Sequence, residues 1–299
     1  MAKTDQLSIL TNEDLLKHIG WLIILIILFL AACAPQPAGQ TPVPVLPSTT
    51  SSPPQDTATP QPSATPTPDP SPTPWPYLSQ ICSPLEGFTL ADMPALVVVD
   101  NPYKAPQPGM DDGHHGVDLA FWSWPALGLY QMKGLPIHAV LEGTVVTINR
   151  DIYPYGYAVI IETPLEKIPP EWQSAWQLSP PAPLQAPPSA LTCPQGEVPA
   201  AWGTSPLSIY SLYAHMDQPP TVQPGQTIEC GQTIGVVGTT GLSVNDHLHF
   251  EVRLGPAGAQ FASLGHYDTS TSEEERFNYC TWRISGWFQL VNPHLVLTP

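Results

Sequence analysis

The sequence predicts an all-β domain, mostly antiparallel and arranged as a sandwich or open barrel, on three observations. Short β-rich runs recur between Gly and Pro at residues 95–100, 136–140, 143–150, 157–163, 208–215, 233–237, 247–253 and 287–291. Helical periodicity is nearly absent. In residues 246–252, apolar Leu248, Phe250 and Val252 alternate with polar neighbours at the period of two that puts successive side chains on opposite faces of a strand. Many short strands with turn residues between them make a sandwich or open barrel. A small repeat at residues 224–228 and 230–234 places Gly225 and Gly231 six residues apart, and each reads as a tight turn.

The domain occupies only part of the 299 residues. Residues 21–32 are uninterruptedly apolar, yet twelve residues at 1.5 Å each reach about 18 Å, short of a bilayer core of about 30 Å. That length suits the hydrophobic region of a signal peptide spanning residues 1–32. Leu30-Ala31-Ala32-Cys33 then resembles the lipobox of bacterial lipoproteins, which implies a diacylated Cys33 at the start of the mature chain. Residues 33–76 are almost entirely Pro, Thr, Ser, Ala and Gln and cannot build a core. They read as a semi-rigid stalk at about 3.1 Å per residue in polyproline II form. The chain is thus expected on the outer side of a membrane, held by lipid, with residues 77–299 as its domain.

Composition narrows the partners and the redox setting. A formal net charge of −16, from 9 Lys and Arg against 25 Asp and Glu, excludes a nucleic-acid binder. Apart from Cys33, the cysteines are Cys82, Cys193, Cys230 and Cys280, an even set without a C-x-x-C pair, which argues for structural disulfides. The expected pairs are Cys82 with Cys280, joining the domain ends, and Cys193 with Cys230, fastening an inserted loop. That loop, about 164–206, is Pro-rich, contains Trp and has no period of either kind.

Chemistry concentrates in three short motifs. On a strand, His247 and His249 point to one face. His114 and Asp118 lie four residues apart around Gly116, about 13 Å if straight, so the glycine must let the backbone curl for both to reach one metal at about 2.0–2.2 Å. His215 ends an apolar strand. Imidazole and carboxylate donors suit zinc, and a catalytic site needs three ligands and an open position, leaving two of these five groups to move protons. His18, His138, His266 and His294 read as ordinary histidines, and His115 as a neighbour pointing away from the metal.

His114-x-Gly116-x-Asp118, Tyr213-Ala214-His215 and His247-Leu248-His249-Phe250-Glu251, in this order, resemble the lysostaphin and LytM-type zinc metallopeptidases that cut peptide bonds in peptidoglycan. The resemblance implies Zn²⁺ bound by His114, Asp118 and His249. It further implies His247 as general base toward the attacking water and His215 as the group that stabilises the oxyanion or passes a proton. Three features depart from the family pattern: Asp246 where proline usually precedes the histidine pair, extra residues 121–134, and the long 164–206 segment. They put the shape of the substrate groove in doubt, not the ligand set. A non-catalytic regulator or wall-binding module of the same fold is the competing reading, and such relatives lack the ligand set that is complete here. For the anchor, metabolic palmitate labelling in a producing bacterium should mark the wild-type chain and not Cys33→Ser; an unlabelled wild type would refute it.

Overall fold

The computed structural model describes residues 77–185 and 192–298. The expected signal peptide, Cys33 and the stalk lie outside the described residues. Among those described, the strands are β1 (Val117–Leu119), β2 (Pro136–His138), β3 (Gly143–Ile152), β4 (Gly156–Pro164), β5 (Leu207–Met216), β6 (Thr227–Ile228), β7 (Thr233–Val236), β8 (Leu248–Pro256) and β9 (Gln289–Val291). All pair antiparallel. The main sheet runs β1-β8-β5-β4-β3-β6, with β9 also paired to β8, and β2 and β7 form a separate two-stranded sheet.

The strand content and antiparallel pairing are what the β-branched and aromatic runs predict, and the described strands form one large sheet and one small one with no closed barrel among them. Both faces of the large sheet are covered. On one, Val117, Leu119, Val159, Tyr213, Leu248, Phe250 and Val252 pack with Leu85, Met93, Leu96 and Ile137 in the principal core. On the other, Val146, Ile160, Tyr210, Leu212 and Ala214 pack with Phe261, Trp282 and Phe288. The cover on this second face comes from the chain after β8.

Among the described residues the α-helices are α1 (Met93–Leu96), before β1, α2 (Pro170–Ala175), between β4 and β5, α3 (Glu273–Arg283), between β8 and β9, and α4 (Pro293–Leu297), after β9. Two expectations fail here. The run at 95–100 is not a strand, because Pro94 sits in the first turn of α1 where its missing N–H costs nothing; only Val97 bridges the sheet, opposite Leu119. Helix α3 has weak hydrophobic periodicity but a complete capping box, in which the Ser272 hydroxyl accepts from the Glu275 amide and the Glu275 carboxylate accepts from the Ser272 amide. No helix among the described residues is long and apolar enough to cross a membrane.

The 164–206 segment is only partly irregular: α2 forms in it, Ile168 and Trp176 are buried, and the Ala182 and Leu184 amides donate to Gly286 and Ser285 carbonyls. The cysteine pairing differs from expectation, since Cys82 is bonded to Cys230 and Cys193 to Cys280. The reason is which face each cysteine lies on. The Cys82 amide donates to the Val140 carbonyl, beside the turn where the Gly231 amide donates to Ala139, on the side of the principal core. Cys280 lies on α3, whose Tyr279 and Trp282 belong to the opposite face, out of reach of Cys82. A non-reducing peptide map should therefore recover Cys82–Cys230 and Cys193–Cys280; any Cys82–Cys193 or Cys82–Cys280 peptide in the native protein would contradict this arrangement.

Candidate metal and catalytic site

Strand β8 lies between β1 and β5, and its register sets the site. His249 faces Asp118 on one side and Ala214 on the other. Period two puts His247, His249, Glu251 and Arg253 on one face of β8, while Leu248, Phe250, Val252 and Leu254 enter the principal core. His114 stands just before β1, where its backbone exchanges two hydrogen bonds with Lys104, at 2.8 and 3.1 Å. Gly116 is needed there, but for space and not for a positive φ. A Cβ at this position would come within 2.5 Å of the Phe250 carbonyl oxygen and 2.8 Å of the His249 ring.

Three ligand atoms converge. Asp118 Oδ1 lies 2.8 Å from His249 Nδ1 and 3.1 Å from His114 Nε2, and the two nitrogens are 3.1 Å apart. Tetrahedral ligands at about 2.0–2.2 Å from zinc stand roughly 3.3–3.5 Å from one another, so a slight opening of this triangle admits the ion. The other His249 nitrogen, Nε2, donates to Glu251 Oε1 at 3.1 Å, leaving the Nδ1 lone pair for a cation. Burial alone would depress the His249 pKa, but its hydrogen bonds to Asp118 and Glu251 raise it to about 9, so its surroundings favour positive charge at this ring. Asn101 Nδ2 donates to Asp118 Oδ2 at 2.9 Å and fixes the carboxylate. The donor set fits zinc.

His215 and His247 stand beside the triangle without joining it. The His215 Nδ1–H donates to the Thr240 carbonyl at 2.8 Å, and His247 Nδ1–H to Asn245 at 2.8 Å, so both rings keep Nε2 as a bare acceptor. Burial, with His249 and His247 alongside, holds the His215 pKa down to about 3; burial also lowers that of His247, opposed by the nearby Asp118. Their ring centroids are 4.8 Å apart, and Trp122 sets its edge against His247 at 6.2 Å. His215 has φ +61°, uncommon for a residue with a side chain. The cleft around these groups has a volume of about 720 Å³. None of its described lining residues comes from the 164–206 segment.

Sequence reasoning missed the support beneath the ligands. Glu251 is fully buried, yet its Oε1 accepts from Tyr155, His249 and Arg283 at 2.9–3.2 Å and its Oε2 from Arg253 and Trp282 at 3.0–3.3 Å. His115 points away from the triangle: its Nδ1 accepts from Arg253 Nη2 at 2.9 Å, and burial with Arg283 and Arg253 nearby pushes its pKa down to about 2. Glu251 and Arg253 were within reach of the two-residue period, whereas Tyr155 and Arg283 carry no local signal. His138 pairs with Glu86, and His266 and His294 lie outside the triangle.

Asp246 and the extra residues 121–134 meet. The Asp246 carboxylate accepts from the Met132 amide and, at 3.0 Å, from the Lys133 amide, pinning the end of a segment whose Trp122 walls the cleft.

Residues 204–261 match the model of peptidase family M23. The match covers β5 to β8 and the turn after β8, the part of the domain that carries three of the five candidate site residues. The matched span holds His215, His247 and His249, and leaves His114 and Asp118 outside it. Among solved structures, the chain is similar to a Pseudomonas aeruginosa protein described as an M23 peptidase, at 19% identity and TM-score 0.31, over 60% of this chain and 46% of that one. It is also similar to the catalytic domain of the prophage-encoded M23 protein EnpA from Enterococcus faecalis, at 20% identity and TM-score 0.31, over 56% of this chain and 86% of that one. A third is the catalytic domain of lysostaphin from Staphylococcus simulans, at 19% identity and TM-score 0.28, over 51% and 77%. The chain thus spans less than half the length of the Pseudomonas protein.

Since a ligating imidazole depends on the partner of its other nitrogen, Glu251→Gln should weaken zinc binding by roughly 10- to 100-fold in chelator competition. It should also lower the melting temperature, because Arg253 and Arg283 lose a charged partner. Unchanged zinc affinity would show that Glu251 does not set the ligand.

Proposed function

We propose that this chain is a zinc-dependent endopeptidase that hydrolyses peptide bonds in bacterial cell-wall peptidoglycan, held at a membrane surface through lipid on Cys33. The observation that carries the reading is the convergence of His114 Nε2, Asp118 Oδ1 and His249 Nδ1 beside two histidines that keep Nε2 free. Support for the substrate class comes from the M23 match and from the envelope signals at residues 21–33.

In this reading His114, Asp118 and His249 hold the ion, with Glu251 fixing the ring of His249. Zinc, when bound, supplies a Lewis acid that polarises the scissile carbonyl and acidifies water. His247 is the better first base. Its Nε2 stands 3.5 Å from Asp118 Oδ1, so the imidazolium formed on taking the proton of the attacking water gains a nearby negative charge. His215 spends its only ring proton on Thr240, so it donates to an oxyanion or leaving amine only after its Nε2 has gained one. The neighbouring His247 ring provides a short route for that proton.

Ligands and proton-handling residues should fail differently as alanine variants. His114→Ala, Asp118→Ala and His249→Ala should lose bound zinc, activity and some thermal stability together. His215→Ala and His247→Ala should keep about one zinc per chain while turnover falls by roughly 10²-fold or more. Metal analysis alongside mass spectrometry of muropeptides released from purified walls, with and without chelator, checks both. Wild-type cleavage by all five variants would refute the hydrolase. Zinc retained throughout with no release by wild type would favour a regulator or binding module.

A further inference from the structure

Arg283, at the C-terminal end of α3, is the only Lys or Arg among the described residues lining the cleft. Its guanidinium is held on two sides. Nε donates to Asp111 Oδ1 at 2.6 Å, and Nη1 donates to the Tyr155 hydroxyl at 3.3 Å and Glu251 Oε1 at 3.2 Å. Nη2 has no partner among the described residues, although the side chain is only 11% exposed.

The acids around it are already satisfied. Asp111 Oδ2 accepts from the Tyr267 and Tyr279 hydroxyls, and its Oδ1 from Arg283 itself. Both oxygens of Glu251 are taken, and Asp118 Oδ2 is held by Asn101. The unused valence on this wall of the cleft is therefore a donor on a cation. A guanidinium edge matches the planar oxygens of a carboxylate, and a partly buried pair of this kind is screened less than a surface one.

We propose that Arg283 is a specificity-determining residue that receives a free carboxylate of the peptide substrate, a proposal resting on the peptidase reading above. Its reach follows from the geometry. Arg283 Nη1 is 3.2 Å from Glu251 Oε1, itself 3.1 Å from His249 Nε2. With about 2 Å across that ring, about 2 Å from its Nδ1 to an ion and about 2 Å from Nη1 to Nη2, the free donor stands within about 13 Å of an ion on the far side of the ring, a span of up to about four extended residues at about 3.4 Å each. The carboxylate belongs either to a chain terminus or to an acidic side chain within that distance of the bond cut.

Calorimetric titration of the full-length chain with three peptides tests this: acetyl-Gly-Gly-Gly as the free acid, the same peptide as its carboxamide, and acetyl-Gly-Asp-Gly carboxamide. The free acid, the Asp peptide or both should bind at least 10-fold more tightly than the uncharged peptide, and which one does so identifies the source of the carboxylate. The preference should persist in metal-free protein, which separates the guanidinium from the metal. It should collapse to within about twofold in Arg283→Gln and be partly kept in Arg283→Lys, whose ammonium preserves the charge beside Asp111 and Glu251. Equal binding of all three peptides to wild type would overturn the proposal, whatever the variants do. So would a preference that survives in Arg283→Gln. Intact carboxylate preference with no release from walls would instead refute the peptidase reading alone.

Discussion

A single carboxylate, buried without access to water, organises the centre of this molecule. Glu251 would be costly in an apolar interior, and it is tolerated because β8 supplies His249 and Arg253, the turn between β3 and β4 supplies Tyr155, and α3 supplies Trp282 and Arg283. Burial would raise its pKa, but Arg253, His249 and Arg283 hold it well below the usual carboxylate range. One anion thereby joins a central strand, a turn and a helix on the second face of the sheet. Its hydrogen bond to Nε2 also orients the His249 ring, so the fold and the candidate site depend on the same contacts.

The division of labour within β8 follows from its alternation. Residues pointing one way, from Leu248 to Leu254, enter the principal core, while those pointing the other way form a continuous polar row from His247 to Arg253. Because β8 has β1 and β5 as neighbours, Asp118 is brought to His249 by backbone pairing and not by a flexible loop. Around this centre the walls are built differently: Trp122 comes from a segment tied down by Asp246, and Leu242 and Val244 line the cleft as exposed side chains. Such walls can change in sequence without disturbing the row beneath them.

Much of this was legible in the sequence because it is encoded at short range. The two-residue period of 246–252 announced both the strand and the face shared by His247 and His249, and the His114 to Asp118 spacing announced a bend toward one point. The role of Gly116 was harder to read, since its small size is demanded by the Phe250 carbonyl and the His249 ring, which are distant in sequence. The run at 95–100 looked extended because its propensities are those of a strand, and Pro94 decided otherwise. Helix α3 was hidden by weak periodicity although its capping box was written in Ser272 and Glu275. The cysteine partners could not be derived at all, because the choice depends on which face of the sheet each covers.

That pairing bears on how the chain can be made. In order along the sequence the four bridged cysteines run 82, 193, 230, 280, and the two bridges interleave, the first linking 82 to 230 and the second 193 to 280. A chain that emerges from its N-terminus exposes Cys82 and Cys193 together before the native partner of either, so the first bond that oxidation can form is the wrong one. Correct closure requires that Cys82 stay reduced until β7 is available to hold the 230 turn, or that a premature bond be exchanged by attack of a later thiolate. The interleaved pairing thus places a demand on the chain's surroundings during synthesis, either for oxidation delayed until the sheet has formed or for thiol exchange.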